Sequence, residues 1–121
     1  MWQTLQIDVQ TINENTAVIN LQGDVTGPAV PALKEAYDQV SVHRQSGNVV
    51  RNVILNFLDD HYIDSFGMTA LVHIVTQARK QQQQLTLALS DGHTRRVLGL
   101  VGLNQYAKVY HNLDEALASL Q

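Results

Sequence analysis

The stretch VILNFLDDHYIDSFGMTALVHIV, from Val53 to Val75, decides the fold class. Its first part is a nearly continuous apolar run, which is typical of a central strand covered on at least one face. After an acidic loop, apolar residues return at helical spacing, beginning at Met68 and Leu71. The stretch therefore predicts a buried strand followed by an amphipathic helix, the repeating unit of a parallel α/β sheet.

The flanking sequence extends this unit in both directions. Alternation around Ile7 and Val9 and the segment 17–21 predict an opening hairpin, followed by a helix that enters at Thr26-Gly27-Pro28. Beyond Val75 the pattern predicts a strand at 85–89, a short helix at 94–101, an edge strand at 107–110 and a final helix capped by Asn112. The predicted order is β-β-α-β-α-β-α-β-α: an α/β fold with a mixed, mainly parallel sheet and helices mainly on one face.

Composition limits the classes of function. A chain of 121 residues suits one domain over 1–121, and its 45% apolar and 16% charged residues are typical of a globular protein. No cysteine is present, which excludes disulfides and thiolate metal sites. A net charge of −3 without a basic stripe argues against nucleic-acid binding. We see no signal peptide and no membrane-spanning stretch, so we expect a cytoplasmic protein without membrane insertion.

The acidic loop has two interpretations. Asp59, Asp60 and Asp64 follow a strand, where clustered carboxylates can bind Mg²⁺. The simpler interpretation is that they are solvated loop acids and that Asp64 caps the next helix. A phospho-acceptor receiver domain would also need an acidic pair after its first strand and a lysine near its last strand. Asp8 has no acidic neighbour and Lys108 alone is weak support, so the simpler interpretation is favoured.

Ser65 has three interpretations. As a nucleophile it would lie in a Gly-x-Ser-x-Gly turn, but Ile63 occupies the first glycine position and no histidine is placed as a base by its spacing. The histidines are scattered and none of them forms a metal-ligand pair; His61 is nearest to the acidic loop. As a structural residue, Ser65 or Asp64 caps the helix. As a modified residue, Ser65 would carry a phosphate at the positive end of a helix dipole.

Two neighbours of Ser65 bear on these alternatives. A glycine at position 67, in the first helical turn, lowers helix stability by roughly 1 kcal/mol relative to alanine. A glycine kept despite this cost indicates that another backbone approaches closely there. Phe66 is a candidate anchor for a partner if it is exposed and an ordinary core residue if it is buried.

Three long segments and a short closing one, in this order, resemble the STAS domain family of anti-sigma factor antagonists and their relatives. LQGDVTGPAVPALKEA is similar to the family's strand, Gly-acid turn and first helix, and NVILNFLDDHYIDSFGMTALVHIV resembles its central strand and Asp-Ser-x-Gly segment. LALSDGHTRRVLGLVGLNQYAKVY resembles the next strand, short helix and Gly-Leu before the last strand, and DEALASL matches the closing helix. The resemblance covers nearly the whole chain.

The resemblance implies a bacterial binding switch in transcription regulation that is not an enzyme and needs no cofactor. A partner serine kinase of the histidine-kinase-like ATPase class, which is also the anti-sigma factor, would phosphorylate Ser65, and a serine phosphatase would reset it. Asp64 would position the serine, and Gly67 would allow close approach of the partner backbone. The implied partner-binding residues are Asp24, Asp64, Ser65, Phe66, Gly67 and Met68.

Phe66 departs from the family pattern, which usually has a small residue at that position. The bulky ring would change partner choice or hinder a kinase. Two further hypotheses therefore stay open. The first is a STAS scaffold subunit of a larger signalling or transport complex that is not phosphorylated. The second is a metal- or serine-dependent hydrolase built on the acidic loop.

Overall fold

A computed structural model describes residues 4–42, 46–58, 62–90, 92–100 and 102–120. Strands and helices follow the predicted order, with two short 3₁₀ turns at Gly27–Ala29 and Leu103–Gln105. The bounds of the elements are β1 Gln6–Asn13, β2 Thr16–Gln22, α1 Val30–Val40, β3 Asn52–Leu58, α2 Ser65–Lys80, β4 Gln84–Ala88, α3 Gly92–Leu100, β5 Lys108–Tyr110 and α4 Leu113–Ala118.

The five strands form one sheet in the order β1-β2-β3-β4-β5. β1 and β2 are antiparallel, as the opening hairpin predicts, and the other neighbouring pairs are parallel. The central strand β3 is the apolar run of the deciding stretch, and Val53 to Phe57 are buried. Because β2 and β3 are parallel neighbours, their carboxyl ends lie at the same edge of the sheet, where the loops leading to α1 and α2 begin.

Helices α1, α2 and α3 pack on one face of the sheet, and α4 packs on the other. Leu33 of α1, Ile74 of α2 and Leu98 of α3 are fully buried in one large apolar core. Ala116 of α4 lies in a second, smaller core with Val18, Ile54 and Ala88 of the sheet. The prediction that helices lie mainly on one face is confirmed, with α4 as the exception.

Several sequence predictions need adjustment at their ends. β1 spans Gln6–Asn13 and contains Ile7 and Val9 of the alternating set. Trp2, which belongs to the same set in the sequence, lies outside the described residues. The segment before β3 forms an isolated antiparallel bridge between Val42 and Val49. The predicted cap at Asn112 is confirmed, because its side chain accepts a hydrogen bond from the Glu115 amide. Gly102, which follows the predicted helix at 94–101, adopts a positive φ, as a glycine that ends a helix often does.

Candidate functional site

The candidate site lies where the chain leaves β2 and β3. Beyond the two strands, Val25 and Ile63 form an isolated parallel bridge that extends the pairing. The Val25 amide donates to the Tyr62 carbonyl at 2.8 Å, and the Asp64 amide donates to the Val25 carbonyl at 3.2 Å. This bridge brings Asp24 and Asp64, which are 40 positions apart in the printed sequence, to the same edge of the sheet.

Asp64 is the residue that caps α2. Its Oδ1 accepts a hydrogen bond from the Gly67 amide at 2.7 Å, which satisfies one of the free N–H groups of the first helical turn. Its Oδ2 accepts from the Gly27 amide at 3.2 Å, at the start of the turn that leads into α1. One carboxylate therefore fixes the beginning of α2 against the beginning of the α1 segment. This result decides between the two capping residues that the sequence left open.

Ser65 is the first residue of α2, and its side chain is exposed. Because Asp64 caps the N-terminus of α2, the Ser65 hydroxyl is not needed as a cap. The Ser65 carbonyl accepts a 2.9 Å hydrogen bond from the Thr69 hydroxyl one turn later. The structure thus presents a serine hydroxyl on a fixed helical backbone at the positive end of a 16-residue helix.

The close approach predicted at Gly67 occurs within this chain. A Cβ atom on Gly67 would lie 2.0 Å from the Val25 carbonyl oxygen and 2.9 Å from its carbonyl carbon. Gly67 is buried, so packing of α2 against the Val25 segment accounts for the glycine without a partner. The expectation that Gly67 faces a partner backbone is therefore replaced by an internal reason, and its role in binding stays a prediction.

Phe66 projects from the site into solvent. The residue is 67% exposed, which excludes the core interpretation and leaves Phe66 as a candidate anchor for a partner. The ring lies beside Gly27, where an added Cβ would be 3.5 Å from the ring edge. Tyr62, three residues before Ser65, is 48% exposed. The exposed hydroxyl thus has two exposed aromatic residues near it in the chain.

The two remaining predicted site residues have mainly structural contacts. Asp24 is half-buried, and its Oδ1 accepts a 3.0 Å hydrogen bond from the Tyr62 amide, so it supports the loop before α2. Met68 is partly buried and packs against the main core. Their contacts with a partner stay predictions.

The alternative sites are only partly described. Asp59, Asp60 and His61 lie outside the described residues, as does His43. Within the described ranges, no cluster of three or more metal-ligating side chains is present. Asp8 and Lys108 lie on β1 and β5, the two opposite edges of the sheet, which is inconsistent with a receiver-type phosphorylation site that combines them.

A cavity of about 460 Å³ lies beside Asp64, and the sequence did not predict it. It combines segments far apart in the chain, so no local pattern signals it. It is mainly apolar and is lined by Thr4, Leu5, Thr26, Pro28, Ala29, Ala32 and Asp64.

Among the helices of the described ranges, none is long and apolar enough to cross a membrane.

Proteins of known structure share this fold. The STAS domain family matches residues 6–116. An anti-sigma factor antagonist from Mycobacterium paratuberculosis has a similar structure, with a TM-score of 0.76 and 21% sequence identity over 96% of this chain and 93% of that chain. SpoIIAA, a cell fate determinant of Bacillus, is similar in its phosphorylated form, with a TM-score of 0.70 and 19% identity over 96% of this chain and 100% of that chain.

The unphosphorylated form of SpoIIAA, described as an anti-sigma factor antagonist, gives the same TM-score of 0.70 and 19% identity over 95% of this chain and 96% of that chain. At these identities the structural likeness establishes the fold. The family match covers most of the sequence, and the chain therefore belongs to the STAS domain family.

Proposed function

We propose that this STAS domain is a protein-binding switch of the anti-sigma factor antagonist type, controlled by phosphorylation of Ser65. The partner would be an anti-sigma factor that is also a serine kinase of the histidine-kinase-like ATPase class, and a serine phosphatase would reverse the modification. One observation carries the proposal: the Ser65 hydroxyl is exposed at the first position of α2 while Asp64 provides the cap. The solved phosphorylated form of SpoIIAA, a protein of the same fold, supports it.

The fixed backbone around Ser65 suits a kinase substrate. The cap formed by Asp64 and the packing of Gly67 on Val25 hold the first turn of α2 in one position. A kinase would therefore meet an ordered hydroxyl at the start of α2 and would not have to order a loop. The Phe66 ring lies beside Gly27 and leaves Ser65 exposed, so the ring does not bury the hydroxyl that a kinase would have to reach.

A phosphate on Ser65 would change the charge of this surface without disrupting the helix. The helix dipole favours a negative group at this end, so α2 tolerates the modification. Asp24 and Asp64 already make the site acidic, and a phosphate adds about −1.5 to −2 charges at neutral pH. A partner that binds the exposed Phe66 ring next to a neutral hydroxyl would then meet a strongly negative surface. Release of the partner is the expected consequence.

The first test is intact-mass analysis of the protein purified from its own cells, followed by mapping of any modified peptide. We expect one phosphate on Ser65 in some growth conditions. Ser65→Ala should lack it, and Thr69→Val, which removes an exposed hydroxyl one turn later, should retain it. Phosphate on another residue, or none under any growth or stress condition, contradicts the proposal.

The second test measures binding to the anti-sigma factor kinase from the same cells. Wild type and Ser65→Ala should bind, and Ser65→Asp should bind at least tenfold more weakly. The matched control is Thr69→Asp, which adds the same charge one turn along α2. Equal binding by wild type and Ser65→Asp would show that Ser65 does not control the interaction.

A constitutive scaffold subunit is the second candidate, because Phe66 is 67% exposed next to the site. In that case Phe66→Ala would abolish assembly with the partner complex, and no phosphate would be found on Ser65. Either function acts by binding rather than by catalysis. An ATP-dependent kinase partner would put the switch in the bacterial cytoplasm.

A further inference from the structure

The exposed face of α2 carries no charged residue between its two ends. From Ser65 to Ala78 the helix contains no Asp, Glu, Lys or Arg. Exposed helical faces of globular proteins are normally charged or strongly polar. Phe66 is 67% exposed and Val72 is 42% exposed. We refer to the following exposed residues as the α2 face: Ser65, Phe66, Thr69, Val72, His73, Thr76 and Arg79.

Internal hydrogen bonds make the α2 face less polar than its sequence indicates. The Thr69 hydroxyl donates to the Ser65 carbonyl at 2.9 Å, and the Thr76 hydroxyl donates to the Val72 carbonyl at 2.9 Å. Each of these exposed hydroxyls thus has its donor satisfied within the helix. If the two threonines were buried against another surface, both hydroxyl protons would keep their acceptors within the helix.

The charges lie at the two ends of the helix and are opposite in sign. The N-terminal end has Asp64 and Asp24, and the C-terminal end has Arg79 and Lys80. Within the described ranges, neither Arg79 nor Lys80 forms an ion pair. The Arg79 guanidinium stacks on the Tyr106 ring, with Cζ 4.3 Å from the ring centroid, and this contact holds the charge in place.

We propose that the α2 face is the interface of a two-fold symmetric dimer, in which the α2 helices of two copies of this chain pack antiparallel across Val72. A two-fold axis requires a self-complementary surface, and the α2 face meets this condition. Val72 lies midway between Ser65 and Arg79 in sequence, seven residues from each. An axis there brings the acidic end of each helix beside the basic end of the other.

Helix geometry permits this arrangement. Ser65 and Arg79 are each about 10 Å along the helix from Val72, at about 1.5 Å per residue. For a crossing angle of about 20°, helix ends at that distance diverge by only about 4 Å, which the long Lys80 side chain can span. The antiparallel helix dipoles also favour the arrangement. A single pair of helices buries a small area, so we expect a weak dimer that depends on concentration.

The dimer itself does not depend on the proposed function, but its regulatory consequence rests on that function. In the dimer, Ser65 and Phe66 are covered, so a kinase would compete with the second copy for the same face. A phosphate on Ser65 would lie beside Arg79 and Lys80 of the other copy. Phosphorylation would thus favour self-association while it releases the kinase.

Disulfide trapping tests the interface directly, because the chain has no cysteine. Packed helix axes lie about 8–10 Å apart and the Cα radius is about 2.3 Å, so Cα atoms at the axis would be about 3.4–5.4 Å apart. This range overlaps that of disulfides. Val72→Cys should therefore form a covalent dimer under mild oxidation. Val9→Cys is the matched control, because Val9 is also a valine with 42% exposure but lies on β1.

Sedimentation over a range of protein concentrations gives a second measurement. Wild type should dimerise, Val72→Glu should weaken dimerisation at least tenfold, and Val9→Glu should not. The double variant Arg79→Glu, Lys80→Glu should also weaken it. Circular dichroism verifies that each variant is folded.

Three results would overturn the proposal: a wild-type protein that stays monomeric at millimolar concentration, equal cross-linking of the two cysteine variants, or dimerisation that Val72→Glu leaves unchanged. None of these measurements involves a kinase. Failure of the dimer and failure of the proposed phosphorylation switch are therefore distinguishable.

Discussion

The Tyr37 hydroxyl donates a 2.6 Å hydrogen bond to Oε1 of Gln83, and both residues are buried. Gln83 Nε2 donates in turn to the Val50 carbonyl at 2.7 Å, and Gln81 Nε2 donates to the Tyr37 hydroxyl at 3.1 Å. This small network links α1, the segment before β3 and the turn between α2 and β4. The glutamine run at 81–84 thus contains one residue with a specific buried role.

Gln83→Leu should lower the free energy of unfolding by about 2 kcal/mol. The substitution leaves the buried Tyr37 hydroxyl without its acceptor and the Val50 carbonyl without this donor, and an unsatisfied buried polar group costs about 1–3 kcal/mol. Urea unfolding measures the change. Gln84→Leu is the control, because Gln84 is exposed and its change should stay within about 0.5 kcal/mol. Equal effects of the two substitutions would contradict the role of the network.

Tyr37 should make the protein sensitive to alkaline pH. Burial raises the pKa of Tyr37 above its ordinary value of 10.0. The unfolded chain therefore releases this proton at lower pH than the folded chain does, so the unfolded state gains stability as the pH rises past 10. The contribution of Tyr37 to the free energy of unfolding is therefore complete below pH 10 and decreases above it. Chemical unfolding between pH 8 and pH 11 should show that the free energy of unfolding declines less steeply with pH in Tyr37→Phe than in the wild type. The same slope in both proteins would refute this prediction.

Gly67→Ala should destabilise the protein by about 3 kcal/mol, at the upper end of the usual cost of overpacking, because the new methyl group would meet a backbone oxygen that cannot move aside. The affected distance is the 2.0 Å between the added Cβ and the Val25 carbonyl oxygen. Thermal unfolding measures the loss.

Gly99→Ala provides the opposite control for this experiment. Gly99 also lies in a helix, but among the described residues its added Cβ would have only an Asn104 side-chain atom nearby, at 3.9 Å. Alanine there should stabilise the protein by about 0.5–1 kcal/mol, since it restricts the unfolded chain and favours the helix. If both alanine variants shift stability in the same direction, the contact with Val25 does not explain Gly67.

Thr86→Val should stabilise the protein by about 1 kcal/mol. Thr86 is fully buried on β4, and among the described residues its hydroxyl has no hydrogen-bond partner. Replacing it with a methyl group of similar shape removes the cost of burying a hydroxyl without a partner. The control is Thr16→Val, because the Thr16 hydroxyl accepts from Asn52 Nδ2 at 3.4 Å and its loss should not stabilise. A lower unfolding midpoint for Thr86→Val would contradict this account.

Local patterns were sufficient to predict the order of the elements. The apolar run of β3 and the spacing of Leu71 and Val75 in α2 are properties of neighbouring residues, as is the cap formed by Asn112. The resemblance to the STAS family added the connection of Ser65 with a partner. The apolar run, the helical spacing and the cap are short-range patterns, so they could be recognised without knowledge of the fold.

The contacts that shape the site could not be predicted in this way. The Asp64 carboxylate meets the Gly27 amide, and Gly67 meets the Val25 carbonyl, only after β2 and β3 have paired. The glycine in the first turn of α2 indicated that another backbone approaches Gly67, and the family resemblance attributed this approach to a partner. Such contacts depend on the three-dimensional arrangement of distant segments.

The division of roles within Asp64-Ser65-Phe66-Gly67 has an evolutionary consequence. The outer pair, Asp64 and Gly67, is constrained by contacts inside the molecule, so few substitutions there would preserve the fold. The inner pair, Ser65 and Phe66, is exposed and open to change. A lineage of such proteins could therefore acquire new binding specificities, or lose regulation by modification, through one codon change at an inner position while its stability stays intact.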